Sequence, residues 1–149
     1  MRIFLDANIL FTAAHRPEGK SASVIQVAQA NDWVLCTSRY ALEEARRNLE
    51  RKYPQCLQAH LDQLLNLEVI PEFPCSEGLV NLPKKDLPIF FAALGGNAQI
   101  LLTGDVKDFG FLMNDRAKAK GLLVQTVNDF LNEIERSGDR RVKGKPNRG

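Results

Sequence analysis

The sequence predicts an α/β domain, a central and mainly parallel sheet with helices on both faces. Three observations lead there. Short apolar runs alternate with segments of helical periodicity. The runs RIFL, WVLCT, QILLT and GLLVQT are nearly continuous in apolar character, as strands covered on both faces are. Capping residues or prolines stand at the mouths of the intervening helices.

Taken in order, Arg2 to Leu5 reads as a buried strand. Ser21 is the expected N-cap of a helix through Ala30, and Trp33 to Thr37 is a second strand. Ser38 caps a helix running to about Tyr53. Pro54 suits the first turn of the next helix, whose Leu57, Leu61, Leu64 and Leu65 recur at helical spacing. Leu67 to Ile70 is a short strand, and the proline-bearing stretch 71–85 is a long connection suited to a mobile loop beside a site. DLPIFFAAL is a helix with Asp86 at its mouth, stopped by Gly95 and Gly96. Gln99 to Thr103 and Gly121 to Thr126 are strands, and VNDFLNEIER is the last helix.

Composition narrows the class. A chain of 149 residues with 44% hydrophobic and 26% charged residues fits one ordinary globular domain. No apolar run approaches the ~18 residues of a membrane helix. MRIFL has neither the h-region nor the cleavage site of a secretory leader. Cys36, Cys56 and Cys75 are odd in number and far apart, which points to a reducing cytoplasm rather than a disulfide framework. No Cys/His cluster suggests zinc, and His15 and His60 stand isolated. Residues 1–135 read as the domain and 136–149 as a basic, disordered tail. In that tail Arg136, Arg140, Arg141, Lys143, Lys145 and Arg148 face Asp139 alone. Such a tail holds a polyanion or simply keeps the chain soluble.

The chemistry lies in the acids. In open α/β sheets ligands bind at the carboxyl ends of strands. Asp6 follows RIFL, Ser38 follows WVLCT, and Asp105 follows QILLT. Asp6 and Asn8 also suit a local turn or cap. On the helix after Ser38, Glu43 falls among Arg46, Arg47 and Glu50, whereas Glu44 lies beside Ala41 and Asn48. The spacing favours Glu44 as the inward acid. Asp86 doubles as an N-cap candidate. In LLTGDVKDF, Thr103 ends a strand, Gly104 permits a tight turn, and Asp105 and Asp108 follow three apart. Carboxylates gathered in one cleft repel, and a hard divalent cation relieves that. Mg²⁺ and Mn²⁺ take oxygen ligands and act beside phosphates.

LDANIL, TSRYALEEARRNL, KKDLPIFFAAL and QILLTGDVKDF, in that order, resemble the PIN-domain ribonuclease family over about residues 1–134. The resemblance implies a PIN-like three-layer α/β/α fold and a Mg²⁺- or Mn²⁺-dependent endoribonuclease acting on RNA. It matches Asp6, Glu44, Asp86 and Asp105 to the family's four acids. Asp6, Asp86 and Asp105 are then the expected metal holders, with Asn8, Thr103 and Asp108 accessory. Many small bacterial members are toxins that dimerise and are silenced by an antitoxin protein. An acidic pocket needs basic neighbours to hold RNA, and Arg39, Arg46, Arg47, Lys84, Lys85 and Lys107 are the candidates.

Two rival readings remain open in the residues. Haloacid-dehalogenase-like phosphatases also begin with a strand and an aspartate, and GDVKD suits their metal site. They use an acid two residues after the first, where this chain has Asn8. The third reading is a non-catalytic RNA-binding or regulatory module.

Overall fold

The computed structural model describes residues 1–76 and 78–137. Its centre is β1 (Arg2–Leu5), whose Ile3, Phe4 and Leu5 are fully buried. A strand apolar on both faces belongs in the middle of a sheet covered by helices. β1 pairs on one side with β2 (Val34–Ser38) and on the other with β4 (Ile100–Leu102). β3 (Glu68–Ile70) and β5 (Leu123–Gln125) form the edges, giving the order β3-β2-β1-β4-β5. Every pairing among these strands is parallel. Register sets Phe4 between Cys36 and Leu101, all three fully buried.

The connecting helices are α1 (Ala7–His15), α2 (Lys20–Ala30), α3 (Arg39–Lys52), α4 (Leu57–Gln63), α5 (Leu87–Gly95), α6 (Val106–Phe109) and α7 (Val127–Arg136). The chain steps outward from β1 to β2 to β3, then returns across the sheet to β4. Right-handed crossovers therefore put the helices of the outward and returning connections on opposite faces. The result is the predicted three-layer α/β/α domain. The strand order reverses beside β1 and β4, so their carboxyl ends flank the crevice where such sheets bind ligands.

Several local expectations shift. The apolar run after Asp6 forms α1, a helix absent from the sequence reading, which buries Ile9, Leu10, Ala13 and Ala14. Asp6 caps it, as its cap reading anticipates: one carboxylate oxygen accepts the Ala7 N–H at 2.6 Å. Ser21 is not the cap of α2. That helix starts two residues after Glu18 with Gly19 at the cap position, and Ser21 is buried within its first turn. Ser38 does cap α3, accepting the Ala41 N–H at 3.2 Å. The helix expected after Pro54 divides into 3₁₀ turns at Pro54–Cys56 and Leu64–Asn66 around α4. The leucine stripe is not the buried face: α4 buries His60, and Leu61 and Leu65 are left 50% and 85% exposed.

The close of α5 shows how tightly the layers meet. Gly96 follows the helix where the β3 residue Ile70 packs against it, and its carbonyl accepts two Arg2 guanidinium bonds. A Cβ there would run into the Ile70 side chain and sit 2.9 Å from the Ala92 carbonyl oxygen. Gly96→Ala is expected to destabilise the fold by about 1–3 kcal/mol. Urea unfolding would show this as a lower midpoint at unchanged slope. No helix among the described residues is long and apolar enough to cross a membrane. The basic tail lies outside the described residues from 138 onward.

Candidate functional site

The carboxyl ends of β1 and β4 are joined by a polar network that begins with Asp6. Its side chain is 5% exposed, yet it carries a carboxylate. The Thr103 hydroxyl donates to its second oxygen at 2.7 Å. Thr103, fully buried at the end of β4, also accepts the Asp105 N–H at 3.1 Å. The Asn8 carboxamide oxygen accepts the Gly104 N–H at 2.8 Å, and its amide reaches Thr103 and Asp6 at 3.4 Å. Asn8 and Thr103 thus lock the start of α1 to the turn after β4. Burial pushes the Asp6 carboxyl up to about 6; the Thr103 and Ala7 hydrogen bonds oppose that, and the charges of Glu44 and Asp86 add to it.

Next to this network three carboxylates converge. Asp86, Asp105 and Asp108 each offer an oxygen within 4.8 Å of the others'. Asp105 is held as the cap of α6, one oxygen accepting the Asp108 N–H at 3.1 Å. Asp86 occupies the cap position of α5 but makes no capping bond, which frees its carboxylate for the cluster. Burial raises the Asp86 carboxyl, with Lys85 pulling the other way.

Lys85 supplies the cation at the centre. Its ammonium lies 2.9 Å from Asp108, 3.1 Å from Asp86 and 3.8 Å from Asp105. The Tyr40 hydroxyl donates to the Lys85 carbonyl at 2.9 Å and anchors its backbone. Hydrogen bonding to Asp108 holds the ammonium above the usual lysine range, and Lys85 in turn lowers Asp108. Three hard oxygen donors that already surround one positive charge fit Mg²⁺ or Mn²⁺. A divalent cation could therefore be coordinated by Asp86, Asp105 and Asp108.

This trio differs from the expected metal set. Asp108, expected as accessory, is inside it. Asp6 is outside it, because the Ala7 N–H and the Thr103 hydroxyl engage its two oxygens deeper in the crevice. Glu44 is exposed and lines a cleft with Asp86 and Lys85, whereas Glu43 turns to Arg46 at 2.9 Å. Among the predicted basic contacts, Arg46 is engaged by Glu43 and Glu50, and Lys85 by the acid cluster. Arg47 borders the Glu44 cleft, 3.9 Å from Glu43. Arg39, Lys84 and Lys107 are exposed. His60 is buried away from the acids, and neither histidine joins a ligand cluster among the described residues.

Two basic residues beside the site escape the sequence reading. Arg16 and Lys20 border a groove that ends at Asn8, Gly104 and Asp105. The signal available was the Arg-Pro-Glu-Gly-Lys turn, but its nearness to Asp105 depends on the pairing of β1 with β4.

Comparisons with known proteins agree with this architecture. A family model described as a PIN domain matches residues 2–107. The chain is similar in fold to the crystal structure of VapBC2 from Rickettsia felis bound to a DNA fragment from their promoter, at a TM-score of 0.57 and 19% identity, covering 85% of this chain and 98% of that one. It is likewise similar to VapBC-1 from nontypeable Haemophilus influenzae, at a TM-score of 0.54 and 20% identity, covering 86% and 99%. No curated protein sequence matches the chain.

Proposed function

The chain belongs to the PIN-domain family, and from that premise we propose that it is a Mg²⁺- or Mn²⁺-dependent endoribonuclease, the toxin of a toxin–antitoxin pair. The observation that carries this reading is the convergence of Asp86, Asp105 and Asp108 around one cation at the strand-end crevice. A divalent ion bound there would lower the pKa of a water and offset charge growing on a phosphodiester.

The chain's own groups take the following parts. Asp86, Asp105 and Asp108 hold the ion. Asp6 adds a buried negative charge close to Asp86, which would strengthen the cluster's hold on a cation. Glu44, in one cleft with Asp86 and Lys85, would orient the attacking water. Asn8 and Thr103 keep Asp6 and the Gly104 turn in register through the bonds described above. Arg39, Arg47, Lys84 and Lys107 steady the RNA backbone, which the acids alone would repel. Asp6, as a phosphatase nucleophile, would need an oxygen open to attack, and its burial argues against that chemistry.

The toxin role draws support from the likeness in fold to two VapBC assemblies and implies an antitoxin protein and a homodimer or higher oligomer. The proposal places the nuclease domain in residues 1–135, the basic tail in 136–149, and the protein in the cytoplasm.

The test is cleavage of a mixed single-stranded RNA by the purified, partner-free chain. Cleavage is expected with Mg²⁺ or Mn²⁺ and is lost in EDTA and in Asp105→Asn. Cleavage that survives Asp105→Asn would sink the assignment of the site. Expression of the wild-type chain alone is expected to arrest growth, and Asp105→Asn to relieve the arrest.

A further inference from the structure

Two open grooves, lined by different residues, border the acid cluster. One, of about 640 Å³, runs from Asn8, Gly104 and Asp105 out to Arg16 and Lys20. The other, of about 340 Å³, runs from Asp86 and Lys85 past Glu44 to Arg47 and Arg51. Asp105 belongs to the first and Asp86 to the second, and these two carboxylates are members of one cluster. The two grooves therefore approach each other at the acids.

The charge along the two grooves has a pattern. Each ends in a pair of exposed cations, and the acids lie between. Among the described residues, only Arg47 of the four end cations meets an acid, Glu43 at 3.9 Å. Lys20 donates to the Asn128 carboxamide at 2.7 Å and Arg51 to the Asn48 carboxamide at 3.1 Å, both neutral partners. Arg16 makes no ion pair among the described residues, and the Arg47 pair is long, exposed and shared, since Glu43 also holds Arg46 at 2.9 Å. The first groove also receives the starts of α2 and α7, whose positive dipole ends favour an anion. Gly19 contributes no side chain to cap α2, so the first-turn amides lack that partner.

A mononucleotide or a small phosphate ester would fill the middle and leave both cation pairs idle. A chain of phosphates crossing both grooves uses all three parts: one phosphate at the acids and others at each end. We propose that the two grooves form one continuous track for a single-stranded RNA, held at Arg16 and Lys20 on one side of the cleaved bond and at Arg47 and Arg51 on the other. This rests on the ribonuclease reading and extends it. The substrate is an oligonucleotide several residues long, and the cut falls inside it, never at a terminal nucleotide.

The experiment is fluorescence anisotropy of an end-labelled 12-nucleotide single-stranded RNA with the full chain, in EDTA so that the proposed reaction is silent. Wild type is compared with Arg16→Ala/Lys20→Ala and with Arg47→Ala/Arg51→Ala over a range of salt. Each pair is expected to weaken binding and to reduce the slope of log K against log salt by about 1.4, the loss of two phosphate contacts on a single strand. Shortening the RNA from one end should remove the effect of one pair only, and shortening from the other end the effect of the other pair. Unchanged affinity and slope in either pair would overturn the track, as would both pairs responding to the same truncated end. Binding of an acidic peptide at these cations with no RNA binding would overturn it too. A chain that cleaves RNA with metal while both pair variants bind like wild type refutes the track alone. A chain that binds along both grooves but never cleaves with metal refutes the nuclease alone.

Discussion

Asp6→Asn is expected to lower metal-dependent RNA cleavage by about two orders of magnitude and, at the same time, to make the metal-free protein harder to unfold above about pH 6. The two effects have one cause. Asp6 is a carboxylate taken almost wholly out of water, and burial raises its carboxyl to about 6 from an ordinary value of 3.8. Between those values the folded protein holds a proton that the unfolded chain has released, so stability falls as pH rises through that window. Above it the folded state carries the full cost of the buried charge, roughly 2–3 kcal/mol. Asparagine removes the charge and keeps the shape. Its oxygen still accepts the Ala7 N–H, and the Thr103 hydroxyl can turn to accept from its amide. Thermal melts of both proteins in EDTA at pH 4 and pH 8 are expected to converge at the acid end and separate at the alkaline end. Melts that run parallel across this range would refute the buried-charge account, and full cleavage by Asp6→Asn would refute its part in the reaction. Both results together would make Asp6 a case of the trade between stability and activity that functional sites make.

Lys85→Met is the second large effect, and it runs in the opposite direction for the metal. In the metal-free protein the Lys85 ammonium offsets part of the trio's charge at 2.9–3.8 Å. A divalent cation and this ammonium cannot both sit among the same oxygens. Two unit charges 4 Å apart interact by about 4 kcal/mol at an effective dielectric of 20, and exposure of the lysine to solvent cuts that severalfold. Removing it is expected to tighten Mn²⁺ binding by roughly tenfold in calorimetric titration. The same change leaves three carboxylates facing one another, so the metal-free melting temperature falls and recovers with Mn²⁺. Unchanged Mn²⁺ affinity would mean that the lysine swings clear of the site at no cost.

The layers of the fold were legible because buried parallel strands announce themselves as apolar runs and their order forces helices between them. The positions of Asp6 and Asp105 were legible for a related reason: each follows such a run and so stands at the carboxyl edge of the sheet. What stayed hidden has specific causes. MRIFLDANILFTAA is apolar apart from Arg2, Asp6, Asn8 and Thr12, so β1 and α1 merge into one signal. The α2 boundary was missed because glycine caps without a side-chain bond. Leu57 and Leu61 keep helical spacing in sequence, but α4 turns His60 inward instead, and Leu64 and Leu65 fall in a 3₁₀ turn of different pitch. Lys85 reads as an outward cation because sequence gives its charge and not its direction. Arg16 and Lys20 become neighbours of Asp105 only when strands nearly a hundred residues apart pair.

The placement of β1 between β2 and β4 has a consequence for synthesis. As the chain leaves the ribosome, residues 1–70 can build β1, β2 and β3 with their helices, since those strands are adjacent in both sequence and space. The acid trio draws one member from residue 86 and two from the segment that follows β4. No nascent fragment shorter than about residue 108 carries the set, and β4 must find its place beside a β1 made long before. The ribonuclease proposed above would thus be made without its complete acid trio until translation has passed residue 108.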